Sequence, residues 1–200
     1  MPLAPQGRPR DAGIEARVYD ATLGLLRDHG YARLRIDDVA AAAGVAKTTL
    51  YRRWPSLPAL VLDALESAIG PRQAPATGDA LADLAALLDV LYATLVTSPL
   101  AATVRAVGAD LIHQPDLAAD YRRRFVDPLR GAAIALVAAG RRDGTFATDS
   151  DPALVVDAVI GPLIYRGLID EPMPSRDALL ALGLGILRSG EGRDGGAAEG

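Results

Sequence analysis

The 200-residue chain has no cysteine, which excludes disulfides, thiol catalysis and cysteine-held zinc or iron–sulfur centres. Histidine is nearly as scarce: His29 and His113 are the only two, far apart in sequence, so imidazole-based metal binding is poorly supplied. Lysine occurs once, at Lys47, and aromatic residues make up 4%. With hydrophobic residues at 50%, burial rests on Ala, Leu and Val, which favours closely packed helices over an aromatic-rich sheet. The longest hydrophobic stretches are broken by Arg, Asp, Gly or Pro well short of the ~18 residues of a membrane span. The opening MPLAPQG has no apolar run of the signal-peptide kind. No acid–base–nucleophile set stands out. The expectation is therefore a cytoplasmic protein with no catalytic residues, no cofactor, no metal and no membrane contact.

What is present is unevenly distributed. The net charge is −4, yet residues 1–60 carry +3 and residues 61–200 carry −7. A mildly basic head on an acidic body places any polyanionic partner at the head.

Helical periodicity runs through most of the chain. After a Pro/Gly/Arg-rich arm, 1–10, read as disordered, Ile14, Val18, Ala21, Leu25 and Leu26 recur at helical spacing up to His29-Gly30. Two short helices, 37–43 and 47–53, flank Gly44-Val45-Ala46, and a fourth runs from about 56 to 69. The run GPRQAPATG, 70–78, reads as a linker. Longer helices follow at about 79–97, 100–112, 116–139, 152–168 and 175–187, with Pro128 expected to kink the third and Gly161-Pro162 to interrupt the fourth. The tail, 189–200, reads as disordered. No alternating β-branched run is found, so the fold class is all-α with about nine helices. The division is a helix-turn-helix domain at 11–70 and a helical regulatory and dimerisation domain at 71–188.

The pair of short helices is the most informative feature. Val39, Ala40 and Ala43 give the first an inner face of small residues, Gly44 permits a tight turn, and Val45 and Leu50 close a miniature core. The second helix then offers Lys47, Thr48, Thr49, Tyr51, Arg52 and Arg53 on or near its outer side. Threonine suits base edges in a major groove, while Lys, Tyr and Arg suit phosphates. An ordinary helical hairpin with a cationic surface fits the same residues, as does an ion pair between Arg52 or Arg53 and Asp37 or Asp38.

The run LRIDDVAAAAGVAKTTLYRRWPSLPALV, 34–61, closely resembles the amino-terminal signature of the tetracycline-repressor (TetR) family of one-component transcriptional regulators. Val39-Ala40, Ala43-Gly44-Val45, Leu50-Tyr51 and Leu60 match its spaced positions. The resemblance implies a three-helix DNA-binding head, with Lys47 and Tyr51 on phosphate and Thr48 and Thr49 nearest the bases. Arg52, Arg53 and Arg35 complete the expected DNA-binding set. There are departures. Arg35-Ile36 stands where a threonine followed by a hydrophobic residue is common, Ala46 replaces a capping serine, Trp54 replaces a phenylalanine and brings an indole N–H that needs a partner, and Leu57 replaces a phosphate-binding lysine.

The resemblance also implies a body that holds a small, largely apolar effector and pairs with a second copy. Candidates for the effector site are Leu88, Leu91, Tyr92, Val104, Leu111, His113, Phe125 and Leu129, together with Leu84; each equally fits a plain core. Candidates for the homodimer interface are Leu154, Val155, Ala158, Val159, Leu163, Tyr165, Leu180, Leu184 and Leu187. The expected function is a repressor that binds a palindromic double-stranded operator as a dimer and lets go when ligand shifts the dimer geometry. The alternative is a regulator or helical scaffold of the same fold with no small-molecule inducer, controlled by a protein partner or by abundance.

Overall fold

In the computed structural model of the chain, residues 9–70, 72, 77–111 and 115–190 are described. The arm residues 1–8, linker residues 71 and 73–76, the tail from 191, and His113 lie outside the described residues. The described residues form ten α-helices and no strand, so the fold is all-α. The chain divides into two units, Met1–Pro71 with Ala106–Tyr121, and Arg72–Arg105 with Arg122–Gly200. Residues 106–121, which periodicity alone leaves with the body, thus group with the head.

The first unit is built on α1 (Pro9–His29), α2 (Ile36–Ala43), α3 (Lys47–Arg53) and α4 (Leu57–Ile69). Helix α1 packs against both α2 and α4, burying Val18 and Leu26. Thr22 is fully buried on the same face, and its hydroxyl donates to the Val18 carbonyl at 2.7 Å, so no polar atom is stranded. Gly44 ends α2 in the left-handed region (φ 64°), and Val45 N–H returns to the Ala40 carbonyl at 3.0 Å. A side chain there would strain this turn, which sets α2 against α3. Ser56 caps α4 by accepting from Ala59 N–H at 3.3 Å. Helix α7 (Pro115–Tyr121) returns to the second half of α6 (Ala101–Leu111), with the Tyr121 ring lying against Gly108.

The second unit gathers α5 (Ala80–Tyr92), α8 (Asp127–Asp143), α9 (Pro152–Leu168) and α10 (Arg176–Leu187). Leu87, Leu129, Val137, Phe146, Val155 and Leu187 form its buried centre. The Phe146 ring presses on α8 at Gly140, where a Cβ would stand 2.3 Å from a ring carbon. Two bidentate ion pairs tie the helices at the surface. Arg176 binds Asp89 at 2.6 and 3.1 Å, joining α10 to α5. Arg130 binds Asp157 at 2.8 Å through both nitrogens, joining α8 to α9.

One expectation is corrected at α5. The two aspartates that break its apolar run do not break the helix, and with the turn that follows it spans Ala80–Thr97, 18 residues of mean hydropathy 1.7, long and apolar enough to cross a membrane. Both charges are satisfied locally. The buried Asp83 carboxylate accepts from Thr77 N–H at 3.0 Å and Thr77 hydroxyl at 2.7 Å, and Asp89 has Arg176. The leucines of α5 pack against α8 and α10.

The prolines behave differently from one another. Helix α9 runs unbroken through Gly161-Pro162, so no interruption occurs there. Near Pro128 the helix read as continuous over 116–139 is divided. The break comes earlier, in a wide π-type turn at Arg122–Val126, and Pro128 sits in the first turn of α8, where an N–H is dispensable. Having no N–H, Pro128 cannot donate to the Arg124 carbonyl four residues back. Arg72 fills the gap: its guanidinium donates to the Arg124 and Phe125 carbonyls, both at 3.2 Å, and stacks 5.1 Å from the centre of the Phe125 ring. The arrangement recurs at Pro99. There a second wide turn, Ala93–Thr97, precedes the proline, and Arg105 donates to the Leu95 carbonyl that Pro99 cannot reach.

Candidate functional site

The head's second short helix is held from below and open above. Leu50 is fully buried and Trp54, just past the end of α3, is 4% exposed. The Trp54 indole donates to the Asp63 carboxylate of α4 at 2.9 Å, which supplies the partner this N–H requires. The Tyr19 ring of α1 meets Trp54 edge-on at 5.7 Å. The Tyr19 hydroxyl in turn donates to Glu15 at 2.8 Å, and burial with this carboxylate neighbour pushes the phenol well above its ordinary range. This anchor turns Lys47, Thr48, Tyr51 and Arg52 outward, where all four are exposed, with Thr49 half-buried beside them.

The charges on this face are partly engaged. Lys47 Nζ lies 2.6 Å from Asp37 of α2 and 5.9 Å from the centre of the Tyr51 ring. The Asp37 hydrogen bond, followed by its charge, holds the lysine above the ordinary lysine range. The ion pair read from the sequence for Arg52 or Arg53 with Asp37 thus forms with Lys47. Arg53 turns inward, half-buried, with Glu15 of α1 at 3.8 Å. Arg35 is exposed and donates to the Ala32 and Leu34 carbonyls at 3.2 and 3.1 Å. Neither Arg35 nor Ala46 caps the helix it precedes, so the amide ends of α2 and α3 carry no side-chain acceptor there. Leu57 opens α4 half-buried, as an apolar packing residue.

In the second unit an apolar recess opens between α5, α8, α9 and α10, with an empty volume of about 600 Å³ including its open mouth. Leu84, Leu88 and Leu91 line it, as read from the sequence. Val155, Val159, Leu180, Leu184 and Leu187, read as interface residues, line it too. The remaining candidates scatter. Tyr92 is half-buried and donates to the Pro174 carbonyl at 3.2 Å, Val104 and Phe125 are buried outside the lining, and Leu129 is buried in the core shared with the lining residues Leu87, Ala133 and Val137. Leu111 closes α6. Leu163 is fully buried, Ala158 is half-buried, and Leu154 and Tyr165 are each 64% exposed. Sequence reasoning missed Leu81, Leu87, Ala133, Val137, Val156, Ile160, Leu179 and Gly183 as lining; the signal was the continuation of the same helical stripes on α5, α8, α9 and α10. Among the described residues no group of three or more His, Asp or Glu could hold a metal ion.

A helix-turn-helix with an outward cationic face, joined to an all-helical body with an apolar recess, defines a DNA-binding transcriptional regulator. Known proteins agree on this class and narrow it. Residues 18–64 match the family model described as bacterial regulatory proteins, tetR family, and residues 74–182 match the tetracyclin repressor-like C-terminal domain. The chain belongs to the TetR family. It is 37% identical over 174 residues to the HTH-type transcriptional regulator Rv1556 of Mycobacterium tuberculosis, covering 84% of this chain and 83% of that one. A DNA-binding transcriptional repressor TetR of Mycobacteroides abscessus is 29% identical over 177 residues, covering 86% and 88%. The crystal structure of the TetR family transcription regulator SCO0332 superposes with a TM-score of 0.61 at 31% identity, covering 88% of this chain and 97% of that one.

Proposed function

We propose that the protein is a repressor that binds a palindromic duplex as a homodimer and is released by a small, largely apolar ligand. The observation that carries the DNA-reading role is the α3 face. Lys47, Thr48, Tyr51 and Arg52 are exposed together while Leu50 and Trp54 lock the helix beneath them. Lys47, Tyr51 and Arg52 hold phosphates, Thr48 and Thr49 meet base edges, and Arg35 and Arg53 flank them.

Repression is supported by the relative whose name states that role. Dimerisation is supported by an apolar face left bare on α9. Leu154, Ala158, Gly161, Tyr165 and Leu168 fall at successive three- and four-residue steps, with Leu154, Tyr165 and Leu168 all at least 64% exposed. A two-fold pairing through that face gives the two recognition helices that a palindrome requires. The recess supports ligand control, through a ligand that prefers one dimer geometry and so shifts the population away from the operator-fitting one. Selection of bound duplexes from a random pool tests the central claim: the expected winner is a palindrome, and no enrichment would overturn it.

A further inference from the structure

Deepening the ligand reading above, on which it rests, we infer that the recess between α5, α8, α9 and α10 selects an uncharged hydrocarbon-rich ligand over anions and cations. None of its sixteen lining residues carries a side-chain heteroatom or an aromatic ring; all are Leu, Val, Ile, Ala or Gly. All sixteen sit on α-helices, so their backbone amides and carbonyls are engaged in helical bonds or, at the helix ends, in local ones: Leu81 N–H donates to Asp79, and the Leu187 carbonyl accepts from Ala147 and Thr148. A carboxylate or ammonium entering this space would lose its hydration and find no partner, a cost that apolar contact does not offset. With no ring to stack on, an aromatic ligand gains nothing over an aliphatic one of equal area.

The recess is preformed rather than a loose seam. The Arg176–Asp89 pair fixes α10 on α5, and the Arg130–Asp157 pair fixes α8 on α9, so each of the four walls is tied by a bidentate contact outside the lining. A second copy of the chain does not suit the space. Leu87, Val137, Val155, Leu179 and Leu187 in its lining are all 5% exposed or less, already covered by this chain's own helices, so a second copy would bury little more of them. The occupant is therefore a small molecule that enters by its hydrocarbon part, with any neutral polar end left at the mouth.

Calorimetric titration of the full chain with decan-1-ol, decanoate and decyltrimethylammonium at neutral pH tests this without DNA. Decan-1-ol is expected to bind at least tenfold more tightly than either ion. Equal or tighter binding of either ion overturns the inference. Location is read separately. Leu84→Trp fills the recess and is expected to weaken decan-1-ol at least tenfold with helical circular dichroism retained. Because the chain has no cysteine, Leu84→Cys creates a single thiol. Its reaction with a thiol reagent should slow at least fivefold under saturating decan-1-ol, and an unchanged rate overturns the location. If Leu84→Trp instead changes the sedimenting species, the recess is a surface between copies and the inference fails. Binding of decan-1-ol with no effect on operator affinity would refute the ligand-release mechanism while leaving this selectivity standing.

Discussion

The ion pair between Lys47 and Asp37 makes opposite demands on two measurements. At 2.6 Å the carboxylate holds the lysine across the turn that joins α2 to α3, at the edge of the face assigned to DNA. Both side chains are about half exposed or more, so the pair contributes little to folding in water. On a duplex the lysine serves a phosphate, and Asp37 becomes a nearby negative charge that opposes it. Lys47→Gln should therefore weaken binding and flatten its salt dependence, by about 0.9 in the log–log slope for each head. Two heads per operator give a slope change of about 1.8. Across a fourfold rise in salt the wild type should lose roughly twelvefold more affinity than the variant.

Asp37→Asn should act in the reverse direction, tightening binding while keeping or steepening the slope. Fluorescence anisotropy on the selected duplex at several salt concentrations reads both. If the pair merely set the angle between α2 and α3, the two substitutions would weaken binding alike, and the slope would follow neither. Parallel losses, or an unchanged slope in Lys47→Gln, refute the phosphate role of Lys47.

Three further outcomes follow from the body. Gly140→Ala drives a Cβ into the buried Phe146 ring and should cost about 1–3 kcal/mol, whereas Gly131→Ala, on the same helix with open space around it, should add about 0.5–1 kcal/mol. Urea melts of the two variants must therefore shift in opposite directions. Arg72→Met should destabilise by roughly 1–3 kcal/mol by removing the donor to the Arg124 and Phe125 carbonyls. The cost should fall when Pro128→Ala restores an N–H to Arg124, and a double-mutant cycle with no coupling refutes the exchange of donors. Finally, Arg176 and Arg130 hold the Asp89 and Asp157 carboxyls below their ordinary range, chiefly through hydrogen bonds. Their stabilisation is fully present above the unfolded carboxylate value of about 3.9 and is lost as pH falls through the lower folded values. Asp89→Asn with Asp157→Asn should lower stability at neutral pH, where both pairs are fully formed, and flatten that acid limb in pH-dependent melts.

The head was legible because its determinants are local. Val39, Ala40, Ala43, Gly44 and Leu50 lie within twelve positions, and a tight turn leaves such residues few ways to pack. The helices of the body were equally legible, since periodicity survives both Asp83 and Pro162. Their mutual arrangement was not. A helical stripe states that a face is buried without stating against what, so Val155 and Leu180 fitted a subunit seam and an internal wall equally well. What decides is contact across long sequence distance: Arg176 with Asp89 over 87 residues, Arg72 with the Phe125 carbonyl over 53, Arg130 with Asp157 over 27.

Those same contacts explain why the faces of α9 separate as they do. Once Arg130 fixes Asp157 toward α8, a helix of 3.6 residues per turn has only one way to orient its other positions. Val155, Val156, Val159 and Ile160 are turned into the recess, and Leu154, Tyr165 and Leu168 are left outside. One helix thus serves as recess wall on one side and bare apolar surface on the other. A ligand that displaces its inner face by even a fraction of an ångström must move the outer face with it, because a packed helix shifts as a unit. If the recess takes a ligand and the bare face a second copy, as proposed, ligand affinity and subunit affinity are linked, and by reciprocity each must alter the other by the same factor.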